Sequence, residues 1–213
     1  SSTSSQRQTE RQQTVAAQSL MISYESLRHQ KDALEKTREL YEKQYELTLV
    51  KQQAGMAARA DVLDAGEKIL SAESSLASVE EGMESIYDSL CYMVGRGMDG
   101  SLTIAEIPEA DCSRIQSMAL DTDTVKAIGN NYTLISERHT SAESATSGAQ
   151  NKLRKVENSE EKLTIKMKSL YEDVFQKKNE LDAAETSWQR AQQEKQNADL
   201  KYSIGMLSQE EYI

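Results

Sequence analysis

The residues of this chain that could do nucleophilic, redox or metal chemistry are few and far apart. The sequence contains two histidines, His29 and His139, and two cysteines, Cys91 and Cys112. Neither histidine belongs to a set of cysteine or carboxylate ligands at zinc spacing, so we expect no metal site. A disulfide between the cysteines stays open, although Cys91 lies in an apolar helical pattern that favours a small buried side chain.

Paired carboxylates are the other candidates for chemistry, namely Glu80-Glu81 and Glu160-Glu161. General acid–base catalysis needs such groups in a pocket that shifts their pKa values. Both pairs instead fall on the polar faces of predicted helices. The chain also lacks a nucleophile elbow and a glycine-rich phosphate loop. We therefore expect no enzymatic activity, and we predict no catalytic, cofactor-binding or metal-ligating residue.

The composition restricts which elements could position any functional residue. Among 213 residues with a formal net charge of −10, 28% are charged, 5% are aromatic and one is proline. Scarcity of turn and bulky residues argues against β-rich and α/β folds, and favours long solvated helices with a narrow apolar seam. Lysines and arginines are interleaved with glutamates rather than clustered, so we expect no nucleic-acid partner. No run of about 20 apolar residues could span a membrane as a helix.

Apolar periodicity identifies the helices. Alternate steps of three and four residues meet only apolar residues from Val62 to Met93, at Val62, Ala65, Ile69, Ala72, Leu76, Val79, Met83, Ile86, Leu90 and Met93. This seam is typical of helices that pack knobs into holes. A preceding helix is predicted from about Thr9 to Gln53. Gly55 is expected to end it and Asp61 to act as the N-cap of the next, which predicts an antiparallel helical hairpin.

The middle of the chain differs in composition. Residues 97–121 contain clustered glycines and the one proline. They predict an equatorial-type loop with one short strand at 102–104 and a small helix near Cys112–Met118.

The second half is predicted to begin near Asp121 or Asp123, with one of the two as the N-cap of its first helix, and to follow the same step as far as Tyr202. Two alternatives remain for the region 156–159. The helix is either continuous there, or it breaks and restarts with Asn158 as the N-cap.

An internal repeat relates the two halves. At an offset of 150 residues, Ala54-Gly55-Met56 aligns with Ile204-Gly205-Met206, and Asp61-Val62-Leu63 aligns with Glu211-Tyr212-Ile213. A glycine turn at the end of a long seam, found twice, predicts two hairpin tips. We expect the second hairpin to be truncated just past its tip at Ile213.

The predicted domain organisation follows from this repeat. Residues 1–96 form the first helical hairpin with a tip near 54–60. Residues 97–121 form the loop, and residues 122–213 form the second half with a tip near 204–210.

These motifs resemble a known family. Lys51–Met56 followed by Asp61–Ala65 is similar to the hairpin tip of TolC-type outer-membrane efflux proteins, in which a hydrophobic-Gly-hydrophobic turn precedes an acidic helix start. Lys201–Met206 followed by Glu211–Ile213 resembles the second tip. Residues 127–134 resemble the helix start after that family's equatorial loop.

The resemblance implies an all-α fold of long antiparallel coiled-coil hairpins in two repeated halves, as part of a TolC-like α-barrel. It implies a homotrimeric efflux or secretion duct in the cell envelope, periplasmic and associated with the outer membrane. The tips would dock a periplasmic membrane-fusion adaptor, with an inner-membrane pump behind it. The docking residues would be Ala54, Gly55, Met56, Asp61, Ile204, Gly205, Met206 and Glu211.

One segment departs from the family pattern. Family members insert strands for an outer-membrane barrel in each half, yet residues 151–166 show no alternating strand of about 10 residues. Either these strands have been removed, or the chain is a divergent relative without an outer-membrane part. The alternative function is a soluble coiled-coil scaffold or interaction protein that uses its seams only to self-associate.

Overall fold

The computed structural model of the chain describes residues 2–140 and 146–213. Every regular element in those residues is helical, which confirms the all-α class. The helices are α1 (Ser2–Gln53), α2 (Arg59–Val94), α3 (Cys112–Gln116), α4 (Leu120–Asn130), α5 (Tyr132–His139), α6 (Thr146–Ser203) and α7 (Gln209–Tyr212). The short strand expected at 102–104 does not form, and these residues have no regular secondary structure.

The chain divides into two compact units that do not follow chain order. Unit 1 comprises Ser1–Gln12 and Glu109–Ala191, and unit 2 comprises Gln13–Pro108 and Gln192–Ile213. Unit 2 therefore contains both glycine turns.

Helices α1 and α2 contact each other in unit 2 through the predicted seam. From Val62 to Leu90, every seam position is buried or half-buried, and Leu76 is 5% exposed. A Cβ added at Gly82 would lie 3.2 Å from Leu27 Cδ1, so the glycine permits close approach of the two helices. Lys31 Nζ lies 3.2 Å from Glu80 Oε1 across the same contact.

The start of the second half in unit 1 differs from the prediction. Helix α4 begins at Leu120 with Ala119 as its N-cap. Asp123 accepts a weak hydrogen bond of 3.4 Å from the Ala119 N–H, so it supports the helix start from inside the first turn rather than as the N-cap. It also accepts a hydrogen bond from the Tyr171 hydroxyl of α6.

The predicted seam between Val125 and Val156 does not belong to one helix. Asn131 Oδ1 accepts a hydrogen bond of 3.0 Å from the Leu134 N–H, which ends α4 and caps α5. Leu134 is then 2% exposed and forms the most buried point of this unit. The hydrogen bond from the nearby Leu134 backbone to the Asn131 side chain therefore separates two short helices where one continuous helix was predicted.

Helix α6 runs through residues 156–159 without a break, so of the two alternatives left open there the continuous helix forms and Asn158 is not an N-cap. Its buried face also departs from the predicted step near Leu170, although Val174 is half-buried as predicted. Leu163 and Met167 are half-buried as predicted, but Tyr171 replaces Leu170, which is 47% exposed. A straight α-helix drifts by about 20° per heptad, which accounts for the departure. Residues 181–197 are exposed throughout.

Candidate functional site: the two glycine turns

The first turn ends α1 by a backbone motif that requires glycine. Gly55 has φ +74°, in the left-handed region that residues with a Cβ disfavour. The Gly55 N–H donates to the Gln52 carbonyl at 3.0 Å, and the Met56 N–H donates to the Lys51 carbonyl at 2.8 Å. This pair of bonds is the Schellman motif, which satisfies the last carbonyls of a helix.

The second turn has the same geometry. Gly205 has φ +75°. Its N–H donates to the Tyr202 carbonyl at 3.1 Å, and the Met206 N–H donates to the Lys201 carbonyl at 2.8 Å. The sequence repeat is thus a repeat of backbone structure at the turns.

The helix that follows each turn is capped from its third residue. Asp61 is not the N-cap as predicted, because Ala58 occupies that position and Asp61 Oδ2 accepts from the Ala58 N–H at 2.7 Å. Glu211 Oε2 likewise accepts from the Ser208 N–H at 2.9 Å. Ser208 Oγ also accepts from the Glu211 N–H at 3.3 Å, which completes a capping box in the second turn.

The eight predicted docking residues are all exposed. The large apolar members are the most informative, since Met56 is 76% exposed, Ile204 is 61% exposed and Met206 is 68% exposed. Methionine adapts its shape to irregular apolar surfaces. At each turn, which is closed by backbone hydrogen bonds, these side chains expose apolar area that could contact another protein.

An ion pair that sequence reasoning missed connects the two turns within unit 2. Lys51, in the last turn of α1, binds the Glu210 carboxylate of α7. A cleft of 330 Å³ lies beside this pair, with Asp64 and Lys68 of α2 in its wall. The sequence pointed to Lys51 only through its alignment with Lys201 in the repeat and gave no indication of its partner Glu210. The partner, 159 residues away, requires the tertiary structure.

The second turn carries an aromatic and charged network of its own. The rings of Tyr202 and Tyr212 stack with centroids 4.4 Å apart. The Tyr212 hydroxyl donates to Asp199 Oδ1 at 2.6 Å, and Lys195 Nζ donates to Asp199 Oδ2 at 2.8 Å. The Lys195 bond, then the Tyr212 bond, lower the pKa of Asp199, and the same carboxylate raises the pKa of Tyr212. The first turn has Gln52 and Val62 in place of the tyrosines.

These shifts predict a pH range for the Tyr202–Tyr212 stack. Because the pKa of Asp199 is lowered in the folded chain, the stabilisation that its carboxylate gives to the folded chain is complete above the ordinary aspartate pKa of about 4. This stabilisation is lost as pH falls through the lowered pKa. Because the pKa of Tyr212 is raised, the stabilisation that its protonated hydroxyl gives to the folded chain is complete below about pH 10. This stabilisation is lost as pH rises through the raised pKa. NMR of the Tyr212 ring should follow both transitions. Asp199→Asn should remove the transition at acid pH. A measured Asp199 pKa at the ordinary aspartate value would contradict the hydrogen bonds from Lys195 and Tyr212 to this carboxylate.

The residues first considered for chemistry do not assemble into a site. His29 Nε2 lies 3.1 Å from Glu25 Oε1, and His139 is exposed on α5. Cys91 is fully buried, Cys112 is half-buried, and both thiols are free. In residues 2–140 and 146–213, no three potential ligands lie close enough to hold a metal ion. The same described part of the chain contains no helix with the length and apolar character needed to cross a membrane.

Comparison with known proteins gives no assignment. No family model, curated protein or solved structure matches the chain. A function is therefore inferred from the paired turns.

Proposed function

We propose that this chain is the helical duct portion of a TolC-type envelope conduit, with its two glycine turns as the docking end for a periplasmic adaptor. The observation that carries the proposal is the structural repeat of the turns. Both use the same Schellman hydrogen bonds, both belong to unit 2, and both expose a methionine immediately after the glycine.

The shared geometry supports docking because it fixes the exposed side chains without covering them. Each turn is closed by its own backbone and by a carboxylate three residues into the next helix. Met56 and Met206 are therefore not needed to stabilise the turns, and their apolar surface is free for a partner. The Lys51–Glu210 ion pair also joins the two turns at the surface of unit 2.

The uncovered part of α6 supports assembly of several copies. The predicted seam residues Leu181 and Trp188 are 40% and 62% exposed, in a stretch exposed throughout. Most of the stability of a helix in a protein comes from packing of its apolar face, so a long bare segment favours packing against another chain. A homotrimer in the cell envelope, with an inner-membrane pump behind the adaptor, is the assembly we propose. In this role the chain is not an enzyme.

The mass of the purified chain in solution tests the assembly. Light scattering after size-exclusion chromatography should give three times the 23.8 kDa of one chain. A monomer at all accessible concentrations would contradict a duct formed by this chain alone.

The second candidate is a coiled-coil scaffold that self-associates without enclosing a channel. The same bare face of α6 favours it, because any helix of suitable pattern could cover Leu181 and Trp188. A compact dimer with a closed core would support this function over the duct.

A further inference from the structure

A second exposed apolar surface lies on α2, away from the seam that contacts α1. Leu63 and Leu70 are 60% and 65% exposed, whereas Leu76 and Leu90 of the same helix are each 5% exposed. Leu63, Leu70 and Ala77 are spaced by seven residues, so they lie in one row along the helix. We call this row the leucine stripe.

The leucine stripe is bordered by carboxylates on both sides. Glu67 precedes Leu70 by three residues and Glu73 follows it by three, which places one glutamate on each side of the row. Beyond Ala77 the border continues with Glu80 and Glu81, one on each side, and Glu84 ends the row seven residues after Ala77. Glu67, Glu73, Glu81 and Glu84 are exposed.

Acidic residues far outnumber basic residues on α2. The helix carries eight acidic and two basic residues, the acidic ones being Asp61, Asp64, Glu67, Glu73, Glu80, Glu81, Glu84 and Asp88. Of the two basic residues, Arg59 lies at the N-terminal end of the stripe and Lys68 lies on the far side of the helix. Among the described residues, the glutamates bordering the stripe have one basic partner, Lys31, which binds Glu80.

We infer that the leucine stripe of α2 binds a basic amphipathic helix of another protein. A partner helix with apolar residues seven apart would cover Leu63 and Leu70, and its flanking lysines or arginines would pair with the bordering glutamates. A second copy of α2 is the wrong partner, because two acidic borders would be brought together. The inference does not use Met56 or Met206, although Leu63 lies two residues after the tip residue Asp61.

The experiment uses the whole 213-residue chain and a labelled 21-residue helical peptide with leucine at the a and d heptad positions and lysine or alanine elsewhere. Fluorescence anisotropy should show binding that weakens as salt increases, because exposed charge pairs are screened. A peptide with glutamate in place of lysine should not bind. The double substitution Leu63→Ser with Leu70→Ser should weaken binding at least about tenfold, since both side chains lose their apolar contact.

Two further variants separate the charge from the apolar contribution. Glu67→Gln, Glu73→Gln and Glu81→Gln together should weaken binding and flatten its salt dependence. Leu200→Ser is the matched control, because Leu200 is 63% exposed on α6, and it should leave binding unchanged.

Three results would overturn the inference. These are equal binding of the acidic peptide, unchanged binding after the double leucine substitution, and loss of self-association by that substitution, which would assign the stripe to a second copy.

Circular dichroism of each variant should match the parent, because all the substituted side chains are exposed.

Discussion

Replacing Met56 and Met206 together by aspartate is expected to weaken binding of a periplasmic adaptor at least about 100-fold, because apolar anchors at the centre of an interface dominate its affinity. Both side chains are more than two-thirds exposed, at 76% and 68%. The turns are closed by backbone hydrogen bonds to Lys51 and Lys201, which the substitutions leave in place. The loss should therefore occur without unfolding.

The measurement is biolayer interferometry with a purified periplasmic adaptor, supported by circular dichroism of each variant. Val15→Asp is the control, because Val15 is an exposed apolar residue of α1 remote in sequence from both turns, at 60% exposure. It introduces one aspartate, against two in the double variant, and should bind normally. Binding by the double variant equal to that of the parent would remove the turns from the docking surface.

Replacing Leu76 by alanine is expected to lower the free energy of unfolding by about 3 kcal/mol, as for other buried leucines whose removal leaves a cavity. Leu76 is 5% exposed and lies in the seam by which α2 contacts α1. Urea denaturation followed by circular dichroism at 222 nm would measure the change.

Leu70→Ala is the matched control for the seam. It removes the same atoms from the same helix, but Leu70 is 65% exposed, so the change should stay within about 0.5 kcal/mol. Equal destabilisation by the two substitutions would mean that the predicted seam is not the packed face of α2.

The best predicted part of the fold is α2, and the reason is physical. Its seam from Val62 to Met93 is apolar at every step, so burial and helical periodicity favour the same structure. The helix forms over Arg59–Val94. The two glycine turns were also predictable, because a left-handed residue at a helix end strongly favours glycine.

The poorly predicted parts are those where a local hydrogen bond competes with a regular pattern. Asn131 interrupts an unbroken 3/4 step because its side chain caps α5. Asn158, in a sequence that resembles a helix start, is bypassed by α6 because helical residues continue on both sides. Sequence patterns do not reveal which of two such side chains will bond its own backbone.

The candidate site shows the same limit. The eight exposed residues of the turns followed from the repeat, but the pairing of Lys51 with Glu210 and the stacking of Tyr202 on Tyr212 did not. Both contacts depend on how the helix after the second turn folds back. That geometry is set by the Ser208 capping box together with the packing of unit 2.

Single-particle electron microscopy of the purified assembly tests the proposed duct most directly, with its tips marked by an antibody fragment against an epitope tag inserted between Met56 and Ala57, which leaves the turn's own hydrogen bonds in place. We expect a threefold ring of helices around an open lumen, with the antibody fragments at one end. A closed bundle without a lumen, or fragments distributed along its side, would contradict the proposed duct.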